Sequence, residues 1–202
     1  YIDLVGGDDY VEIGVDRGHT FTNIKAKNKI AVDVEFRFQI EGKPGETYLE
    51  IPSDEFFQTN TKKIDGVIFV DGKHTYEQAL KDIENSVSCM TERSVVLVDD
   101  CSPDSKHTAE RDDTIVVSNR GAWCGDVWKA IAHLRATRTD LNIRTYLEYP
   151  GLAVIKLGEP DSVLDIKISE LMSAEYDFLD SARGQILNGI PRTQPAQREQ
   201  ER

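Results

Sequence analysis

At 202 residues the chain is sized for one domain, and none of its apolar runs approaches the roughly 20 residues of a membrane span. Its net charge of −12 argues against a phosphate-backbone partner, which needs clustered Lys and Arg, so no nucleic acid and no membrane are expected. The three cysteines, Cys89, Cys101 and Cys124, are odd in number and widely spaced, which suggests neither a disulfide framework nor a cysteine-based zinc site. With no signal-peptide pattern at the N-terminus, a cytoplasmic protein is expected.

In chain order, Tyr10 to Ile13 reads as a short strand that runs into Gly14-Val-Asp-Arg-Gly18, with a helix from His19 to about Lys27. Glycine turns of this kind let a ligand approach the backbone and offer helix amides to an anion. The spacing is Gly-x-x-x-Gly, and so fits neither a dinucleotide fingerprint nor a phosphate loop. A second strand ends at Asp33, where α/β nucleotide folds hold a ribose diol. Thr47 to Ile51 is a third strand, and Ser53 is placed to cap a helix that carries Phe56 and Phe57 inward.

Val67 to Val70 is wholly apolar and reads as a strand buried on both faces. It ends in Asp71, with His74 following, and Thr75 with Gln78 makes a capping box for a helix carrying Leu80, Ile83, Val87 and Met90. Ser94 to Val98 is again apolar and again stops at acids, Asp99 and Asp100. A long polar connection, 102 to 121, containing Val116 and Val117, returns through Trp123-Cys-Gly-Asp126. Asp126 is a plausible N-cap for a helix from Val127 to about Arg138. Asn142 to Leu147 and Leu152 to Leu157 form an antiparallel pair completing the sheet edge, and 162 to 187 reads as one helix whose apolar stripe packs against the domain or against a second subunit, where a homodimer would have its surface. The chain divides into a domain over 1–158, a helical extension over 159–190 and a flexible tail over 191–202.

The Glu12-Ile-Gly14-x-x-x-Gly18 turn, Asp33 and the antiparallel last pair, on alternating strands and helices, resemble the class I S-adenosylmethionine-dependent methyltransferases. More narrowly, Glu-Ile-Gly-Val-x-x-Gly-His-Thr, Ser-Asp-Glu-Phe-Phe, Phe-Val-Asp-Gly-x-His-Thr-Tyr-Glu-Gln and Gly-Asp-Val-Trp-Lys look like the small bacterial branch with many sugar and natural-product O-methyltransferases. The resemblance runs from about Tyr10 to Leu157. It implies an α/β fold with a Rossmann-like, doubly wound sheet in three layers. It also implies that Glu12, Gly14 and Gly18 line the methionine part of S-adenosyl-L-methionine, Asp33 binds the ribose, and Ser53 or Asp54 lies near the adenine. Many relatives have a third glycine where this chain has Asp16 and Arg17, and relatives carry helices ahead of the first strand.

Methyl transfer to an alcohol requires alignment of acceptor and methyl and removal of a weakly acidic proton. Asp71, Asp99 and Asp100, from two neighbouring strand ends, are a donor set for Mg2+, which would acidify a coordinated hydroxyl. Asp71 also borders the cofactor. His74 is the candidate general base, and Trp123 and Asp126 would wall the acceptor pocket. The expectation is a Mg-assisted O-methyltransferase acting on a small-molecule or saccharide hydroxyl. Alternatives are metal-independent methylation with His74 as base, and a non-catalytic cofactor-binding subunit.

Overall fold

The computed structural model describes residues 1–111 and 123–190. In chain order its elements are α1 (Ile2–Val5), β1 (Asp9–Ile13), α2 (His19–Asn23), β2 (Asn28–Asp33), β3 (Glu46–Glu50), α3 (Ser53–Thr59), β4 (Gly66–Val70), α4 (Tyr76–Cys89) and β5 (Val95–Val98). There follow α5 (Val127–Thr137), β6 (Leu141–Tyr146), β7 (Leu152–Leu157), α6 (Ile168–Ser173), α7 (Tyr176–Ile186) and β8 (Gly189–Ile190). The strands form one sheet in the order β3-β2-β1-β4-β5-β7-β6-β8. From β3 to β5 all pairings are parallel, and β7 runs antiparallel to both β5 and β6.

Register decides where the site falls. Ile13 pairs with Val70, and Val70 with Val98, so the residues that follow them, Gly14, Asp71 and Asp99, leave the sheet along one row. Every residue of β4 is buried, and alternation sends Val67 and Phe69 to one face and Ile68 and Val70 to the other. The Ile68 face carries the larger core, with Ile83 of α4, Trp128 and Ile131 of α5, and Leu171 and Leu179 of the late helices. The Val67 face is thinner, closed by Phe21 of α2 and by Tyr1, Ile2 and Val5 at the N-terminus. Helices on both faces of a mostly parallel sheet make the expected three-layer, Rossmann-like arrangement. No helix among the described residues is long and apolar enough to cross a membrane.

Several local expectations are corrected. Helix α2 stops at Asn23 rather than Lys27, because Thr22 and Asn23 turn their side chains back onto the carbonyls of Gly18 and His19 and Ile24 is already extended. Pro52, not Ser53, is the N-cap residue of α3. No capping box forms at Thr75, since Gln78 turns toward Ser53, Asp54 and Asp82 instead. The late segment is not one helix. Residues 162–167 are irregular, and α6 and α7 are separated by extended Ala174 and Glu175, which lets Leu164, Leu171 and Leu179 all reach the core. Beyond them β8 pairs with β6, so the β6–β7 hairpin does not end the sheet. Val116, Val117 and the tail lie outside the described residues.

Candidate active site

The row of strand ends opens into a cleft of about 890 Å3, lined by the β1 turn, the end of β2, the start of α3 and the β4–α4 connection. At its centre the first turn and the end of β4 are in contact through backbone. Gly14 has φ +84, and a Cβ there would stand 1.9 Å from the Asp71 carbonyl oxygen, so only glycine fits. Gly18, at φ +71, is held against the Phe38 ring. Where relatives carry a third glycine, Asp16 itself takes a left-handed backbone at φ +45.

Asp33 is committed to this turn. Its Oδ2 accepts the amides of Val15 (2.6 Å) and Asp16 (2.8 Å), and its Oδ1 accepts that of Glu35 at 3.1 Å. Oδ2 is thereby filled, and Oδ1 keeps a lone pair for a hydroxyl. Glu12 is buried at the base of the cleft and accepts a hydrogen bond from the Tyr10 hydroxyl. Burial, reinforced by the Asp71 charge against the Tyr10 bond, pushes its carboxyl up to about 7.

At the far end, Gln78 Nε2 lies 3.3 Å from Ser53 Oγ, 3.3 Å from Asp54 Oδ1 and 3.1 Å from Asp82 Oδ1. Lys81 beside Asp54 holds that carboxyl below its ordinary range. Asp82, 1% exposed, is the residue that sequence reasoning missed, and burial pushes its carboxyl up. The signal was there: it shares the inner face of α4 with Ala79 and Ser86, and an acid on a buried stripe is uncommon.

The other end of the cleft is acidic. His74 Nε2 lies 3.4 Å from Asp71 Oδ1 and 3.1 Å from Asp100 Oδ2. Ligand atoms of these three residues all fall within 4.8 Å of one another. The expected set was Asp71, Asp99 and Asp100; Asp99 falls outside this group. Asp100, not Asp99, meets His74, because Asp100 sits in the left-handed region at φ +59 and the chain reverses there. Burial first, then the neighbouring Asp71 charge, pushes Asp99 up to about 6. Asp100 rises to about 7, through burial and then the charges of Asp71 and Asp99, against the opposing pull of His74. For His74 burial acts downward, but the Asp71 hydrogen bond and the charges of Asp100 and Asp71 outweigh it and raise the imidazole to about 9. Its Nδ1 donates to the Trp123 carbonyl (2.5 Å), and the two rings lie 4.8 Å apart at 30°. This buried excess of carboxylate beside an imidazole fits a divalent cation by its donor chemistry.

The sequence model of a family described as "Methyltransferase domain" matches residues 11–101. That stretch, from β1 to just past β5, is thus similar to a methyltransferase domain. Its fold is similar to that of a putative caffeoyl-CoA O-methyltransferase from Staphylococcus aureus, at 18% identity and TM-score 0.55 over 78% of this chain and 79% of that one. It is similar also to the O-methyltransferase TomG from Streptomyces achromogenes, solved with SAM (13% identity, TM-score 0.52, 77% and 75% covered). A third is the SAH-bound methyltransferase PaMTH1 from Podospora anserina (14%, TM-score 0.51, 76% and 73%). No curated protein sequence matches the chain.

Of the expected residues, Glu12, Gly14, Asp33, Ser53, Asp54, Asp71, His74 and Trp123 line this one cleft, whereas Gly18 lies outside its lining, against the Phe38 ring. Asp126 does not line that cleft. It is buried, and its carboxylate accepts the Tyr76 amide at 2.7 Å and faces Arg111 Nε at 3.3 Å. Cys89, Cys101 and Cys124 are buried free thiols.

Proposed function

We propose that the methyltransferase moves a methyl group from S-adenosylmethionine to a hydroxyl of a sugar or sugar-bearing metabolite, with a divalent cation such as Mg2+ assisting. The observation that carries this reading is the convergence of Asp71, His74 and Asp100 at one end of the cleft. The similar folds described as O-methyltransferases, and the sequence motifs of the sugar-modifying branch, support the hydroxyl acceptor.

S-adenosylmethionine supplies an electrophilic methyl on a sulfonium, so transfer needs an in-line acceptor oxygen. Gly14 and Gly18 admit the cofactor's methionine part against the backbone, Glu12 sits beneath it, Asp33 offers the remaining lone pair of its Oδ1 to the ribose, and Ser53 and Asp54 face the adenine. Asp71 and Asp100, with Asp99 beside them, would hold the cation, which makes a coordinated hydroxyl more acidic. His74 takes the acceptor's proton at Nε2. Both its ring nitrogens have neighbours, Nδ1 the Trp123 carbonyl and Nε2 the carboxylates of Asp71 and Asp100. A base needs Nε2 free, and carboxylates turned toward a cation would release it, which favours the metal-assisted reading over metal-independent chemistry.

Calorimetric titration of S-adenosylhomocysteine into chelator-treated protein, followed by Mg2+, tests both halves. Cofactor binding plus a Mg2+ response lost in the Asp99→Ala, Asp100→Ala double variant is expected. Cofactor binding with no Mg2+ response would remove the metal from the proposal, and no cofactor binding would overturn it.

A further inference from the structure

The start of α4 carries His74 to the acidic centre, yet neither Thr75 nor Gln78 caps that start. Amides of a first helical turn have no partner inside the helix. Thr75, the N-cap residue, makes no side-chain cap, and Gln78 is turned away. The Tyr76 amide is capped instead from the next helix, by Asp126 Oδ1 at 2.7 Å. Asp126 is 4% exposed, and its other oxygen is steadied by Arg111, which also pairs with Glu77 in the first turn of α4.

The same short segment holds His74 as well. The Trp123 carbonyl takes His74 Nδ1–H, and Gly125, at φ +60, packs so closely that a Cβ would stand 1.8 Å from the His74 carbonyl oxygen. Cys124 and Gly125 are themselves fixed, both amides donating to the Thr108 carbonyl. Ring nitrogen, carbonyl and helix amide of 74–76 are thus each gripped by residues 123–126, from outside the element that bears them.

We infer that Asp126 is a positioning residue of the acidic centre: by capping Tyr76 it sets where His74 stands between Asp71 and Asp100, without touching ligand. This rests on the metal-assisted reading above. It predicts a defect confined to one end of the cleft, because residues 123–126 make no hydrogen bond to Glu12, Asp33 or Ser53.

The test uses Mn2+ as probe, titrated into the chelator-treated chain and followed by electron paramagnetic resonance, with calorimetric titration of S-adenosylhomocysteine alongside. Asp126→Ala should weaken Mn2+ binding by about 10- to 100-fold, the usual range for partners that orient a metal's ligands. Asp126→Asn, which keeps an oxygen for the Tyr76 amide, should recover most of that loss, and S-adenosylhomocysteine affinity should be unchanged in both. Folded Asp126→Ala protein, by circular dichroism, with wild-type Mn2+ affinity would overturn the inference. If Asp126→Ala does not fold, Arg111→Ala decides: its exposed side chain steadies the same carboxylate, and unaltered Mn2+ affinity there overturns the inference too. Wild-type protein that binds S-adenosylhomocysteine but no Mn2+ would overturn the metal reading, and this inference with it.

Discussion

At Asp100 the backbone and the chemistry make separate demands. The left-handed conformation costs most L-residues about 1–2 kcal/mol, but Asn and Asp enter it readily. Asp100→Asn should therefore keep the turn, abolish the Mg2+ response in calorimetry, and leave the cation-free Tm unchanged or higher, since one of several crowded carboxylates is gone. Asp100→Ala should lose the same response and also lower Tm by several degrees. Equal thermal behaviour of the two would show that the backbone argument is wrong. Asp71 and His74 were legible in the sequence because an apolar run that stops at an acid marks a strand end. The choice between Asp99 and Asp100 was not, because the sign of one φ angle decides it. Asp126 was visible as a helix start, but that it caps a different helix depends on how α4 and α5 pack.

Elements show the same division. Strands β4 and β5 could be read from composition, because burial on both faces leaves no polar position to break the pattern. The late helix was misjudged because spacing alone does not reveal a break where two short helices each bury one leucine. Arg135 is part of what holds that region. Buried in α5, it donates to the carbonyls of Gln185 and Ile186 and, at 2.9 Å, to Ser162 Oγ, so one guanidinium ties both ends of the extension to the core. Arg135→Ala should destabilise the protein by about 2–4 kcal/mol, by leaving buried carbonyls without a donor. Thermal denaturation would show the loss, and S-adenosylhomocysteine affinity should hold, because α7 does not line the cleft. A second element-scale prediction concerns the β1 turn. Gly14→Ala forces the turn away from the end of β4, and should weaken S-adenosylhomocysteine binding more than tenfold by calorimetry; retained affinity would mean the two backbones need not touch.

Across the whole molecule, loss of protons from the cleft works against folding. Glu12 and Asp100 are raised to about 7, Asp99 to about 6 and His74 to about 9, so between roughly pH 4 and 9 the folded chain binds more protons than the unfolded one. The sign is the same for all four: acids with raised pKa values lose stability as they ionise, and the stabilisation from His74, complete below its ordinary value of 6.5, is lost as pH rises through 9. Glu46, held down to about 2 mainly by Lys29 and Tyr48 despite its burial, works oppositely but only below about pH 4.5. Tm in the presence of chelator should therefore be highest near pH 5 and fall by several degrees toward pH 9, each ~1 kcal/mol being about 2–4 °C in a chain of this size. Mg2+ should restore more at pH 9 than at pH 5; a flat profile would refute the assignment of these groups. The shared register of β1, β4 and β5 also bears on how such a chain can evolve. Because Gly14, Asp71 and Asp99 leave the sheet on one row, gaining or losing a single residue inside any of these three strands would turn its inward side chains outward and shift its acid or glycine off that row. Changes in length should accumulate in the connections, such as 34–45, while the strands themselves descend unaltered in number of residues.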